Sequence, residues 1–153
     1  MEIALVQGGV FTDHRGTLQF VNETDPGNYR RFYLITHPDI SVIRAWQGHL
    51  VEEKGFYVIG GSFTIAVVRP EDFLNPSDDE LPEFFELAAQ ANKFLRVPGG
   101  SYTGIKANTP GATLLVLSGL DVAASKNDDY RQPAGRWVQW ETIGEFQKTG
   151  IQE

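Results

Sequence analysis

The sequence has no cysteine among its 153 residues. Disulfide frameworks, thiolate zinc sites and cysteine nucleophiles are thereby excluded. Positive charge is also scarce, with 13 Lys and Arg against 20 Asp and Glu, a formal charge of −7. Nucleic acids and anionic membranes both select basic faces, so broad binding to either is not expected. A small anionic ligand needs only a few local Arg or Lys side chains and stays compatible with this charge. No apolar run approaches the length of a membrane span. The start, MEIALVQGGVF, lacks the basic region and the apolar length of a signal peptide. These absences together predict a soluble, cytoplasmic, single domain over residues 1–153.

What the chain does contain is a succession of short β-rich segments. Val, Ile, Phe, Tyr and Thr concentrate near 2–6, 17–22, 30–36, 41–47, 55–60, 62–69, 93–97, 103–107, 112–118 and 136–140. Turn signals separate them, among them DPGN at 25–28, GG at 60–61 and VPGG at 97–100. Many short strands at close spacing predict an all-β sandwich or barrel. Residues 83–91 are ambiguous. Ser77 three residues before Glu80 resembles a capping box, and the following Glu, Leu and Ala favour helix, whereas Pro82 would remove an early helical hydrogen bond. A short terminal helix is expected near 141–149.

The most informative stretch is VIRAWQGHLVEEKGFYVIGGSF at 42–63. Two apolar strands enclose Arg44, Gln47, His49, Glu52, Glu53 and Lys54. One explanation is a hairpin rim whose charges face water and block edge pairing. Yet Arg44 lies inside the apolar run, and a buried unpaired charge is costly. A metal site is a second explanation. The spacing Gln47-x-His49-x3-Glu53-x6-Gly60, followed by Pro98-x-Gly100-x2-Thr103, matches the frame of metal-binding cupins. Two of that frame's three histidines are replaced, leaving His49 and Glu53 where three good ligands are wanted. The frame therefore points to a scaffold without a metal or other cofactor.

Four stretches make the resemblance specific: FTDHRGTL at 11–18, YRRFYLI at 29–35, IRAWQGHLVEEKGFYVIGGSFTIAVV at 43–68 and LRVPGGSYTGI at 95–105. They resemble the cupins that act on nucleotide-linked keto sugars, the dTDP-4-keto-6-deoxyglucose 3,5-epimerases and dTDP-4-keto-6-deoxyhexose 3,4-ketoisomerases. The resemblance implies an RmlC-like jelly-roll β-barrel, a homodimer, and cofactor-free isomerase chemistry on a dTDP-linked 4-keto sugar. It also implies that FFELAA at 84–89 is a strand.

By the same resemblance, Arg15 and Arg44 would hold phosphate, since a guanidinium fork binds such groups bidentately. Lys54 would face the developing enolate, and Gln47, Tyr102 and Asp129 would line the substrate. Gln47 stands where the epimerases carry their catalytic histidine, and glutamine has no usable basicity. His49 matches the second histidine of the ketoisomerases and becomes the expected base. An alternative is that His49 only contacts Glu52 or Glu53 across the turn. Tyr33 is a second acid–base candidate, Asp129 and Tyr130 lie in the region of the family's other acid–base group, and His14 and His37 read as surface residues. Strand parity sets Arg44 on the face opposite Gln47 and His49 unless a bulge intervenes, and Gly48 is the expected place for it. The remaining alternative to an enzyme is a non-catalytic cupin that binds a sugar or sugar nucleotide.

Overall fold

A computed structural model describes residues 2–143. In chain order the strands are β1 (Ala4–Gln7), β2 (Gly9–Asp13), β3 (Gly16–Phe20), β4 (Arg31–Thr36), β5 (Ile43–His49) and β6 (Lys54–Gly60). They continue as β7 (Ser62–Val68), β8 (Glu83–Ala88), β9 (Lys93–Val97), β10 (Ser101–Ala107) and β11 (Thr113–Ser118). A short helix α1 (Val122–Lys126) and β12 (Tyr130–Arg131) complete the regular elements. Two five-stranded antiparallel sheets, β1-β9-β6-β11-β4 and β12-β5-β10-β7-β8, face one another, and β2-β3 forms a separate hairpin. This is the all-β architecture expected from the strand pattern, in the cupin-type jelly-roll form that the resemblance implied.

The alternation of side chains builds the core. Phe56 and Val58 from β6, Leu95 and Val97 from β9, and Leu114 and Val116 from β11 point inward from the first sheet. They meet Phe63, Ile65 and Val67 of β7, Leu87 of β8 and Ile105 of β10 from the second. Burial of each such side chain is worth roughly 1.5–3 kcal/mol. Residues 83–88 follow this rule and not their local helix propensity, because Leu87 is needed in the core and six residues pair with β7. Ser77 and Glu80 form half of the capping box, within a turn that leads into β8: the Ser77 N–H donates to Glu80 Oε2 at 3.1 Å, while Ser77 Oγ accepts from the Asp79 N–H.

The second sheet is covered on its outer face as well. Trp46, Ala66, Val68, Phe73, Tyr102, Val138, Trp140 and Ile143 form a second buried cluster there. This corrects the strand expected over 136–140. Trp137 takes a left-handed φ of 71°, and the indoles of Trp137 and Trp140 donate to the carbonyls of Ser77 and Ala134. Their aromatic mass caps the sheet; it does not extend it. A 3₁₀ turn spans Trp140–Thr142, and the rest of the terminal helix expected near 141–149 lies outside the described residues. No helix among the described residues is long and apolar enough to cross a membrane.

Candidate active site

A cavity of about 480 Å³ opens between residues of β4, β5, β6, β10 and β12. Its polar lining is Tyr33, Arg44, Gln47, Lys54, Thr103 and Arg131, set among Ile35, Ile43, Phe56 and Ile105. Volume and composition suit a small polar ligand with an apolar portion.

Local backbone geometry explains how Arg44 and Gln47 share this cavity. On β10, Thr103 pairs with Gln47 and Ile105 with Arg44, so Ala45 and Trp46 together oppose Gly104 alone. The extra residue restores Arg44 to the face of Gln47. The bulge thus falls at Ala45–Trp46, not at Gly48 as expected. Trp46 is turned out into the second cluster, where its Nε1 donates to the Arg136 carbonyl at 2.7 Å. Gly48 serves another purpose: a Cβ there would lie 2.4 Å from the Tyr102 ring.

His49 follows Gln47 by two residues, is buried, and lies just beyond the residues lining the cavity. Its Nδ1 is 2.7 Å from the Asp128 carbonyl oxygen and 3.2 Å from Glu52 Oε1. Both neighbours are acceptors, so Nδ1 carries the proton and Nε2 the lone pair. Nε2 is buried without a hydrogen-bond partner, as is Oγ of Ser101, the residue paired with His49 on β10. Burial, and then the Lys54 ammonium, hold the imidazole below its ordinary pKa, against weaker opposing pulls from the Asp128 hydrogen bond and Glu52. The result is a neutral imidazole of fixed tautomer with a free basic nitrogen.

Lys54 opens β6, is buried, and donates from Nζ to the Tyr33 hydroxyl at 2.9 Å. Lys54 Nζ also lies 3.7 Å from Glu52 Oε1 and 5.2 Å from the centre of the Tyr33 ring. Glu52 is therefore the hub, its carboxylate fully shielded from solvent. Oε1 accepts from Ser125 at 3.0 Å, Oε2 accepts from the Ser118 hydroxyl and the Leu120 N–H, and Arg31 approaches Oε2 at 3.7 Å. Asp128 fixes the turn that carries it: its carboxylate accepts from the successive N–H groups of Leu50, Val51 and Glu52. Burial of two carboxylates is sustained by this number of partners.

The sequence-derived candidates separate accordingly. The structure brings Tyr33, Arg44, Gln47 and Lys54 together at the cavity, with His49 joined to them through Glu52. Arg44 has no hydrogen bond or ion pair among the described residues. Asp129 stands at the rim, receiving Arg131 Nε at 2.8 Å and Gln47 Nε2 at 3.4 Å. The Arg131 hydrogen bond holds its carboxyl below the usual range. Tyr102 is a correction: it does not line the cavity but stacks on Phe73 in the second cluster and donates to that residue's carbonyl. Tyr130 likewise packs edge-on against Phe73. Arg15 is remote from the cavity, 75% exposed at the β2–β3 tip and paired with Asp13 at 2.7 Å. Glu53, the other candidate metal ligand, accepts from the Tyr29 hydroxyl at 2.7 Å, and no group of three potential metal ligands occurs among the described residues. His37 is buried against Phe63, not on the surface, and neither ring nitrogen has a partner. Sequence reasoning missed Glu52, Asp128 and Arg31 as parts of the site. The available signal for Glu52 was an acidic residue two positions before an inward-facing lysine.

No family model matches the chain, and no curated protein matches it. Solved structures do. The 3,4-ketoisomerase QdtA from Thermoanaerobacterium thermosaccharolyticum, in complex with TDP-4-keto-6-deoxyglucose, is 20% identical over 99% of this chain and 97% of that chain, with a TM-score of 0.67. The rmlC epimerase of Mycobacterium tuberculosis is 17% identical over 90% of this chain and 74% of that chain, with a TM-score of 0.73. A TDP-quinovose 3,4-ketoisomerase from Campylobacter jejuni is 22% identical over 85% and 92%, with a TM-score of 0.66. The chain shares the fold of these enzymes.

Proposed function

We propose that this protein is a metal-independent isomerase or epimerase of a nucleotide-linked 4-keto-6-deoxy sugar, with dTDP as the carrier. The observation that carries this reading is the buried, unpartnered Nε2 of His49, whose ring shares Glu52 with Lys54, a lining residue of a cavity that also holds Arg44, without a hydrogen bond or ion pair among the described residues. A C4 ketone acidifies the neighbouring C–H. His49 Nε2 takes that proton, and the electron pair moves onto the ketone oxygen as an enolate. Lys54 and the Tyr33 hydroxyl supply the positive charge and the hydrogen bond that the enolate needs. Return of the proton to the opposite face of C3 gives an epimer; transfer of the C3 hydroxyl proton to O4, with return of the abstracted proton to C4, moves the ketone to C3. Arg44 binds phosphate, and Gln47 and Asp129 orient the sugar.

The test is solvent deuterium exchange at the sugar C3. The native protein is expected to incorporate deuterium, and His49→Ala to lose about 10²–10⁴-fold of that rate. Undiminished exchange in the variant overturns the assignment of the base. Gln47, where a histidine would serve as base, supports a second reading as a non-catalytic binder. That reading predicts a dTDP-induced rise in melting temperature without any exchange.

The protein acts as a homodimer in this proposal. The first sheet leaves Phe32 and Leu34 on its outer face 70% and 58% exposed, and Val10, Phe11 and Leu18 are exposed on the β2–β3 hairpin. Pairing of two copies through such surfaces would cover this apolar area. Phe32→Asp is expected to give a monomer in sedimentation; a monomeric native protein defeats the dimer.

A further inference from the structure

We infer that Glu52 is the positioning residue of this site, its one buried carboxylate aligning the imidazole of His49 and the ammonium of Lys54 on the same oxygen. The inference rests on the reading of His49 as a base, but its deciding measurement is made without substrate.

The geometry is asymmetric. Oε1 faces His49 Nδ1 at 3.2 Å, Lys54 Nζ at 3.7 Å and the Ser125 hydroxyl at 3.0 Å. Oε2 is taken by Ser118, the Leu120 N–H and Arg31. The carboxylate is thus anchored from β11, β4 and the Leu120 N–H through one oxygen, while the other, held by Ser125 of α1, faces the two reactive groups. A carbonyl alone, that of Asp128, would fix the tautomer of His49. It would do nothing for Lys54, whose other named partner is the Tyr33 hydroxyl. Contact with Glu52 is therefore no alternative to basicity in His49. It adds a second acceptor to the Nδ1 side that the Asp128 carbonyl already fixes, so the lone pair stays on Nε2. The charged groups facing the imidazole are Lys54 from β6, Glu52 from the turn, and Asp128 and Asp129 from the segment after α1. Arg31 of β4 reaches it only through Glu52.

The experiment is a pH titration of the imidazole nitrogens by long-range ¹⁵N–¹H correlation on the ligand-free native protein and two variants. Native His49 should be neutral at pH 7.5, with its proton on Nδ1. Glu52→Gln removes the negative charge and should lower the His49 midpoint. Ser125→Ala removes a donor that drains charge from Oε1 and should raise it. In the exchange assay Glu52→Gln should lose at least tenfold in kcat with KM within about threefold, the signature of misaligned groups in an intact pocket. A native His49 protonated on Nε2, or midpoints unmoved in both variants, overturns the inference. Should Glu52→Gln fail to fold, the native tautomer and the Ser125→Ala shift decide it. Absence of exchange by the native protein overturns the isomerase reading alone and leaves the spectra to judge Glu52.

Discussion

Two buried imidazoles sit in this barrel, and they are prepared very differently. His37 and His49 are both held below the ordinary histidine pKa, burial being the first cause and a neighbouring cation the second, Arg44 for His37 and Lys54 for His49. Both have an unpartnered nitrogen. At His37 both nitrogens are free and the ring meets the edge of Phe63. At His49 a carbonyl and a carboxylate converge on Nδ1, and the turn that supplies the carboxylate is itself clamped by Asp128. Burial favours the neutral imidazole; an acceptor at one nitrogen decides which of the two is the base. The cations differ in the opposite sense. Lys54 is buried and partnered, whereas Arg44 is exposed, with no hydrogen bond or ion pair among the described residues.

The largest expected effect lies at the clamp. Asp128→Ala strips the acceptor from three backbone N–H groups, one of them buried. Unsatisfied donors cost about 1–3 kcal/mol each when buried, so a loss of about 3 kcal/mol in denaturant unfolding is expected, the two partly wetted groups costing least. Asp128→Asn, which keeps one acceptor oxygen, should lose less than half as much. A loss under about 1 kcal/mol for the alanine variant would remove the distinction between the two histidines. Arg44 gives the next effect. A charge-assisted hydrogen bond is worth about 1.5–3 kcal/mol, so Arg44→Ala should weaken dTDP binding by roughly 10–100-fold in calorimetry while the folded stability stays unchanged. Unchanged affinity would place the phosphates elsewhere.

Much of the architecture was legible because β-strands announce themselves in composition, and β5, β6, β7, β9 and β11 fall within two residues of the expected spans. Failures have physical causes. The aromatic-rich 136–140 segment has strand composition, but its tryptophans find more burial as a cap over β5 and β10 than in another ladder. The bulge was expected at the glycine because glycine tolerates irregular backbone. It occurs instead where Trp46 gains a core of its own. Tyr102 could have been excluded by parity, since it lies between Ser101 and Thr103, and Thr103 faces the cavity. Glu52 and Glu53 were indistinguishable in the sequence. Their difference arises from residues more than sixty positions away, Ser118 and Ser125, that close over one carboxylate and not the other.

The smallest effect is the pH dependence, and it separates the two histidines cleanly. An unfolded histidine titrates near ~6.5, and both His37 and His49 titrate lower in the folded protein. Between those values the unfolded chain binds more protons than the native one, so stability is intact above about pH 6.5 and falls as the pH drops through this window. The carboxyls held low by their hydrogen bonds, such as Asp129, add their loss only below about pH 4. His37→Leu should therefore flatten the decline in melting temperature between pH 7 and pH 5 without changing deuterium exchange. It should also cost little stability, because it replaces a ring with two unpartnered nitrogens by an apolar side chain. The exchange rate, in contrast, should keep its neutral-pH value below pH 6.5 and decline only as His49 itself takes up a proton. An acid limb at or above 6.5 would mean that the imidazole doing the chemistry is not the desolvated one, and the contrast between the two histidines would lose its functional meaning.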